Sequence, residues 1–488
     1  MSNSAKIKQL ATDTILFGIS TFGSKILVFL LTPLYTAVLL TEEYGTADLI
    51  SSTVNLIYPV LTLAIAEATL RFALDKSKSK ESVFGNSIAV TVASWCVAAF
   101  LIPALSMEGT ELIKQLAKYR WYFLATYSAY TIHLTVASFV KGIGKTKLFA
   151  VQGIVQTITV VLCNIYYLLL VRKGLEGYLL SIIIGFSVPT VLMFFAGEIW
   201  RYIPSLRLDG VLLLEMLKYS LPMVPTLLSW SFNANINKYM MIELLPAGEG
   251  LGAMGIYSVA NKIPSLLTAV FSVFTQAWQL SAISNANEAD ESEYYTEVYG
   301  LLHIVLLLAC LIIIPCAKPV SRILFDASYF TAWQHIPFLT ISAFFSCLSG
   351  FLASAFRAHK KTGQLSGSVV LGALVNVVLN WVLLQTVGII GAAIATAASF
   401  MTTWAIRMYN IQRIVCVKLR WAEMLASYAL IIVACMTLSF DVAGAYVCYF
   451  ASCVVVIVLN RADLGRMLLC LRQIYVRIKK YRLEFIWR

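Results

Sequence analysis

Apolar runs separated by short polar segments fill the chain from residue 14 to residue 461. Each run is about 20 residues long, which is the length that an α-helix needs to cross a bilayer and about twice that of a barrel strand. The pattern therefore predicts an all-α polytopic membrane protein with about 14 transmembrane helices. The predicted spans are 14–39, 46–72, 84–106, 120–140, 148–171, 177–199, 219–244, 255–281, 298–316, 333–356, 365–387, 389–409, 421–439 and 443–461.

Matching residue spacings indicate that one part of the chain repeats another. Lys145-Thr146 precedes Asn164 at the same spacing as Lys361-Thr362 precedes Asn380, 216 residues later (361 − 145). Identical spacing of the same residue types in two apolar contexts favours two copies of one helical unit over two unrelated segments. The sequence therefore predicts an internal repeat.

Gly45 and Gly255 extend this repeat, because they are 210 residues apart (255 − 45) and each is flanked by apolar spans. We predict that spans 1–6 recur as spans 7–12. Since six is even, both copies keep the same orientation, as in two-lobed transporters with a substrate site between pseudo-symmetric lobes. The predicted domains are an N-terminal six-helix lobe at 1–210, a C-terminal six-helix lobe at 211–415, two extra C-terminal helices at 416–461 and a basic cytoplasmic tail at 462–488.

The positions of Lys and Arg predict the orientation, because cytoplasmic loops hold the excess of these residues. With both termini inside, cytoplasmic segments and adjoining helix ends hold 27 of the 37 Lys and Arg residues, external loops hold 7 and spans hold 3. Both termini are therefore predicted to be cytoplasmic. We attribute the net charge of +12 to this topology and to anionic phospholipids at the tail rather than to nucleic acid.

Charged and polar residues inside the spans are the candidate functional residues, since such groups normally face a bundle interior or a wet cavity. Lys25 lies deep in span 1, which favours a cavity-facing side chain over a structural ion pair. Lys238 and Lys262 lie nearer the outer ends of their spans, so their ammonium groups could reach the membrane surface as readily as they could face a cavity. Arg71 lies near the inner end of span 2. It either forms an ion pair with Glu67, four residues earlier, or lies at the inner opening of a cavity. The polar residues expected to line the cavity are Asn233, Asn237, Asn261 and Asn380.

Other chemistry-bearing residues fit structural roles. Asp48, after the turn at Gly45, is expected at the membrane interface, and His133 and His303 are expected to pack because no acid lies at ligand spacing. No Walker A run, HExxH, GxSxG or large external loop is visible. We therefore expect neither an enzyme nor a metal or cofactor, and consider an ion gradient or the membrane potential as the driving force.

Short motifs in a fixed order are similar to those of the Wzx-type polysaccharide flippases, which belong to the multidrug/oligosaccharidyl-lipid/polysaccharide exporter superfamily. The resemblance covers essentially the whole chain, including the number of spans. The motifs are Lys25, Thr32-Pro33-Leu34-Tyr35, Glu43-Tyr44-Gly45, Leu221-Pro222 with Pro225, Gly255 to Lys262, Leu324-Phe325 with Tyr329, and Gly388 to Ala393.

The resemblance implies movement of an undecaprenyl-pyrophosphate-linked oligosaccharide from the inner to the outer leaflet of the bacterial cytoplasmic membrane by alternating access. It implies a cationic cavity for the substrate, which corresponds here to Lys25, Arg71, Lys238 and Lys262. The glycan polymerase is a candidate partner. One departure is Asn237, since family members often carry an acid at that position before the basic residue.

Three alternatives stay open at the level of sequence. A lipid II flippase would carry the same diphosphate on a peptidoglycan precursor. A cation-coupled multidrug exporter is favoured less, because the candidate interior is cationic and two extra spans are present. A membrane scaffold or a transferase represents a different class of function.

Overall fold

The computed structural model describes residues 26, 29–101, 109–203, 207–246, 248–284, 290–359 and 361–469. Within these ranges the regular elements are helices, and no strand occurs. The α-helices, numbered in chain order, are α1 Thr32–Val38, α2 Thr41–Leu61, α3 Ile65–Leu74, α4 Lys80–Leu101, α5 Glu111–Lys118, α6 Arg120–Gly142, α7 Thr146–Asn164, α8 Gly174–Ala196, α9 Gly210–Ser220, α10 Val224–Leu244, α11 Gly250–Ala260, α12 Lys262–Ser284, α13 Glu291–Leu324, α14 Ile336–Ala358, α15 Thr362–Val387, α16 Ile389–Ile411, α17 Trp421–Ser439, α18 Ala445–Leu459 and α19 Arg461–Leu469.

The membrane-spanning character of these helices is confirmed. In the described part of the chain, 10 helices are long and apolar enough to cross a bilayer, and the number rises to 13 if each bent helix pair is one span. Each overlaps one of the predicted spans. The remaining predicted span, 14–39, lies mostly outside the described residues, so the all-α polytopic fold is confirmed and the total of 14 stays a prediction.

Span 2 was predicted as one helix, and the structure breaks it. The axes of α2 and α3 differ by 61°. Pro59 lies in the last turn of α2 and has no N–H to donate, and Leu63 and Ala64 adopt left-handed backbone angles, with φ of 51° and 52°. Such angles are uncommon outside glycine and strain the backbone. A second break, with a bend of 45°, separates α11 from α12 at Asn261.

The helices reproduce the internal repeat at the level of helix boundaries. Helices α6 and α14 are both 23 residues long and begin 216 residues apart (336 − 120), and α7 and α15 begin at the same offset (362 − 146). Gly174 begins α8 and Gly388 lies directly before α16, and both have left-handed φ, of 54° and 67°. The pseudo-symmetric parallel repeat of the predicted fold class is thereby supported in backbone conformation.

Contacts divide the chain into two compact units. Unit 1 comprises the described residues of Met1–Lys262, Leu324–Phe330 and Asn380–Ile389, and unit 2 those of Ile263–Ile323, Thr331–Leu379 and Ile390–Arg488. These units group residues by proximity, whereas the predicted lobes 1–210 and 211–415 rest on the repeat. The lobe boundaries therefore stay a prediction.

Unit 2 is built on aromatic packing. Trp278 stacks on Phe351 with ring centroids 4.3 Å apart. The Trp404 indole donates a hydrogen bond to the Tyr299 hydroxyl at 2.9 Å, and Tyr428 packs edge-on against Trp404. Aromatic rings bury large apolar areas, and the tyrosine and indole groups also find polar partners. This cluster joins α12, α13, α14, α16 and α17.

Candidate functional site

The candidate site in unit 1 begins with a close crossing of α2 and α11 at two glycines. A Cβ on Gly45 would lie closer than 3.0 Å to the carbonyl oxygen of Leu251, and a Cβ on Gly255 equally close to that of Thr41. Leu251 and Thr41 are 210 residues apart (251 − 41), as the two glycines are. The helices therefore meet through repeat-equivalent surfaces, and only glycine permits this backbone approach.

An ion pair lies one helical turn beyond this crossing. Asp48 of α2 accepts a hydrogen bond from the Ser258 hydroxyl of α11 at 2.5 Å, and the Lys238 ammonium of α10 lies 2.7 Å from the same carboxylate oxygen, Oδ2. Lys238 also donates to the Ser52 hydroxyl at 3.2 Å. The Lys238 and Asp48 side chains are 15% and 24% exposed. Three helices are thus joined by one partly buried polar group.

A second ammonium group adds to this charge. Lys262, the first residue of α12, lies close enough to Asp48 for their charges to interact. We call Asp48, Lys238, Ser258 and Lys262 the Asp48 cluster. Its two cations and one anion leave a net positive charge, which an anionic ligand would neutralise.

Buried amides surround the same region of unit 1. The Asn380 amide donates to the Asn237 side-chain oxygen at 2.7 Å, and the Asn237 amide donates to the Tyr257 hydroxyl at 3.1 Å. In the other repeat, the Asn164 amide donates to the Tyr35 hydroxyl at 3.1 Å. Asn164 and Asn380 are the repeat-equivalent asparagines, and each therefore binds the first helical span of its own copy.

A group of buried tyrosines packs beside Asp48. The Tyr44 ring lies one turn before Asp48, with its centroid 5.8 Å from that of Tyr178 and 6.4 Å from that of Tyr329. The Tyr329 hydroxyl donates to the backbone oxygen of Leu39 at 3.1 Å. These rings form an apolar wall, which keeps the dielectric constant around the carboxylate low and strengthens its interaction with the ammonium groups.

Four of the predicted site residues come together in unit 1: Lys238, Lys262, Asn237 and Asn380. Asn261 is exposed at the end of α11, beside the bend, and does not line this group. Lys25 lies outside the described residues, and the side chain of Asn233 does too. The role of these residues in substrate binding stays a prediction.

Arg71 does not join the Asp48 cluster. It is exposed in the last turn of α3, 23 residues along the chain from Asp48 (71 − 48) and beyond the 61° bend. The expected ion pair with Glu67 is wrong, because within the described residues no carboxylate–guanidinium contact of 4.0 Å or less joins the two side chains. Arg71 is exposed, and an exposed ion pair of this spacing contributes only about 0.3–0.5 kcal/mol, which is too little to hold the two side chains together.

Sequence reasoning missed Asp48 and Ser258 as partners. The interfacial position of Asp48 stays a prediction, and the structure adds a partner, Lys238, that the sequence did not indicate. The available signal was the repeat offset, since Ser258 follows Asp48 by 210 residues (258 − 48). The packed interpretation of the histidines is confirmed: His133 contacts the Thr190 hydroxyl at 3.0 Å, and His303 stacks on Tyr299. No group of three metal-ligating side chains forms in the described part of the chain.

The sequence matches a family of known proteins over more than half of its length. The family is described as polysaccharide biosynthesis protein, and the match covers residues 10–279. No curated protein matches the chain.

The fold is similar to that of solved membrane transporters. A structure of the lipid II flippase MurJ in an inward closed conformation has a TM-score of 0.66 at 15% identity and covers 93% of this chain and 100% of that one. An inward-facing multidrug resistance MATE family transporter of the MOP superfamily has a TM-score of 0.63 at 14% identity and covers 80% and 94%. A MOP superfamily transporter from Pyrococcus furiosus, described by the reverse polarity of its binding pocket, has a TM-score of 0.53 at 13% identity and covers 82% and 95%. At these identities the likeness is one of fold.

Proposed function

Because the chain belongs to the polysaccharide biosynthesis protein family, we propose that it moves an undecaprenyl-pyrophosphate-linked glycan repeat unit from the inner to the outer leaflet of the bacterial cytoplasmic membrane. The family, the apolar helices and the fold likeness support a multi-pass membrane flippase or transporter of the MOP superfamily. The proposal adds the cargo, the direction and the residues that take part.

The Asp48 cluster is the observation that carries the proposal. Its two ammonium groups outnumber its one carboxylate, and the Lys238 and Asp48 side chains are mostly buried. A net positive charge in a medium of low dielectric constant favours an anionic ligand. A lipid-linked diphosphate supplies two or more negative charges and several acceptor oxygens. A cationic drug would be repelled by the same group.

The geometry suggests how the cargo opens the path. The diphosphate competes with Asp48 for the Lys238 ammonium, which the carboxylate binds at 2.7 Å in this structure. When that ion pair separates, Asp48 keeps its hydrogen bond from Ser258, and the glycine crossing of α2 and α11 persists. Helix α10 then loses its ion pair with α2. In the predicted topology this end of the helices faces the outer leaflet, so separation of the pair releases α10 on the side of cargo exit.

A lipid II flippase is the second candidate. The fold likeness to MurJ extends over 100% of that chain, and lipid II presents the same undecaprenyl diphosphate. The Asp48 cluster binds this shared group, so it does not distinguish the two glycans. The sugar-contacting residues must do so.

Transport by the purified protein in liposomes tests the proposal. Three labelled cargoes are compared: an undecaprenyl-diphosphate-linked oligosaccharide, lipid II and a lipophilic cationic dye. We expect the diphosphate lipids to change leaflet and the dye to stay, and the faster of the two lipids identifies the cargo. Lys262→Gln serves as the charge-deleted control. Movement of the dye alone would overturn the proposal in favour of a multidrug exporter.

A further inference from the structure

Arg407 of α16 is a buried arginine that the Asp48 cluster does not use. Its Nε donates to the Ser368 hydroxyl at 2.9 Å, and its Nη1 donates to the Ser349 hydroxyl and backbone oxygen, both at 2.8 Å. The residue is 7% exposed. Among the residues that the structure describes, Nη2 donates no hydrogen bond and no carboxylate lies within 4.0 Å of the guanidinium. Neutral oxygens hold this cation in place without neutralising it.

A second arginine adds its charge to the same end of unit 2. Arg357 is exposed in the last turn of α14, and it lies close enough to Arg407 for the two positive charges to repel each other. Arg407 lies one turn before the end of α16, and Ser368 lies near the start of α15. Because α15 and α16 are consecutive spans, the start of α15 and the end of α16 lie on the same side of the membrane, which the predicted topology makes the cytoplasmic side. Arg357 has no carboxylate partner in the described part of the chain either.

The first repeat shows that the fold does not need this cation. The offset between Gly174 and Gly388 is 214 (388 − 174), and it places Met193 at the position equivalent to Arg407 (407 − 214). Met193 is completely buried in an apolar cluster of unit 1. A thioether therefore fills the same place in the same helix of the other copy. The second copy carries a buried charge at this place, which costs stability unless something offsets its desolvation.

We propose that Arg407 and Arg357 form an anion site at the cytoplasmic end of unit 2, which takes the phosphate or diphosphate group of a membrane lipid. The two serines fix the Arg407 guanidinium by Nε and Nη1, so its planar Nη2 edge is oriented before a ligand arrives. Nη2 keeps its N–H donors, which can each give a charge-assisted hydrogen bond to a phosphate oxygen in the orientation that the serines set. If the ligand is the transported lipid in the inner leaflet, this inference rests on the proposed function. If the ligand is a phospholipid headgroup, the inference is independent of the proposed function.

Binding of inorganic pyrophosphate to the purified full-length protein tests the site by calorimetry. All variants are made in a Lys262→Gln background, so that the Asp48 cluster contributes less to the signal. We expect Arg357→Gln and Arg407→Met each to weaken binding on the order of tenfold, as loss of a charge-assisted hydrogen bond does. Arg407→Met installs the residue of the first repeat. Arg407→Lys keeps the charge but loses the serine-held geometry and the Nη2 donors, and we expect it to weaken binding by a similar factor.

Arg413→Gln is the matched control. Arg413 is exposed near the same end of α16 and donates to the Tyr409 hydroxyl at 2.8 Å, and its loss changes the net charge as Arg357→Gln does. We expect it to leave the affinity for pyrophosphate unchanged. Equal affinity in the Arg357→Gln and Arg413→Gln proteins, or no binding by the parent, would overturn the site even if Arg407→Met fails to fold.

Competition identifies the source of the phosphate. Nanodiscs of phosphatidylcholine are supplemented with either phosphatidylglycerol or undecaprenyl diphosphate, and displacement of pyrophosphate is measured. Displacement by undecaprenyl diphosphate alone makes this a cargo site, and displacement by phosphatidylglycerol makes it a headgroup site. Displacement by neither contradicts a membrane-lipid ligand. Since pyrophosphate binding needs no transport, failure of flipping in liposomes would leave this result standing.

Discussion

Asp48 and Ser258 occupy equivalent positions in the two repeats, and their side chains are hydrogen-bonded to each other at 2.5 Å. The glycines one turn earlier on each helix are also equivalent, and they bring the backbones of α2 and α11 into contact. The two copies share the glycine contact but differ in charge, since the carboxylate of Asp48 in one copy faces the hydroxyl of Ser258 in the other. Lys238 then supplies the counter-charge from α10. The polar cluster thus lies where α2 of one copy meets α11 of the other.

Gly45→Ala tests the helix crossing. The added methyl group would overlap the Leu251 carbonyl oxygen, which is backbone and cannot move aside. We expect thermal unfolding to report a loss of about 2 kcal/mol or more, together with loss of transport. Gly300→Ala in α13 is the control, since a Cβ there meets nothing within 4 Å and alanine favours a helix by up to about 1 kcal/mol. Equal stability and transport of the two variants would contradict the close crossing.

A double-mutant cycle tests the ion pair of Asp48 and Lys238. Asp48→Asn leaves the Lys238 ammonium without its carboxylate, and Lys238→Gln leaves the carboxylate without its ammonium. Each single change is expected to lower the free energy of unfolding by about 1–3 kcal/mol, and the double variant by less than the sum, with a coupling of about 1 kcal/mol or more. Thermal unfolding in detergent measures all four proteins. Strict additivity would mean that the pair contributes nothing to the fold.

Lys262→Gln separates charge from folding. The change leaves the Asp48–Lys238 ion pair intact at 2.7 Å and removes the excess positive charge of the Asp48 cluster. We expect flipping of the diphosphate lipid to fall on the order of tenfold or more, with little change in thermal stability. Lys262→Arg keeps the charge and should retain most of the activity. A normal rate in the glutamine variant would refute a cationic binding site at this residue.

The repeat-equivalent asparagines should have similar structural importance. Asn380→Leu removes the donor to the Asn237 oxygen, and Asn164→Leu removes the donor to the Tyr35 hydroxyl. Both asparagines are completely buried, so each variant leaves a buried polar group with one partner fewer. We expect losses of about 1–3 kcal/mol in each, measured by thermal unfolding. A large effect in one copy and none in the other would argue against equivalent roles.

The sequence predicted the helices well because their signal is local. An apolar run of the length of a bilayer forms a helix whatever it packs against, and each described span overlaps a predicted one. The bounds were less accurate: the apolar helix at the predicted span 219–244 runs from Gly210 to Leu228, and the one at 298–316 runs from Glu291 to Leu324. The repeat was also readable, since Lys145-Thr146 and Lys361-Thr362 begin helices with the same offset. The break at Leu63–Ala64 was not readable, because both residues favour helices and the left-handed angles there are imposed by the surrounding fold.

The candidate site was only half predictable. Lys238 and Lys262 stood out because a charge in an apolar run is costly wherever it points. Their partner Asp48 did not stand out, since its position near a turn is typical of an interfacial acid. Which cation an acid meets depends on how helices distant in sequence cross, and here two glycines decide it. Arg407 is a similar case, because the serines that hold it come from two other helices.

The leaflet distribution of undecaprenyl-linked oligosaccharides in cells that lack this protein is the most direct test of its function. We expect completed repeat units to accumulate on the cytoplasmic side, the wild-type gene to restore them to the outer leaflet, and Lys262→Gln to leave them inside at normal expression. An unchanged pool, with surface glycan intact and both leaflets as in the parent strain, would contradict a glycan flippase.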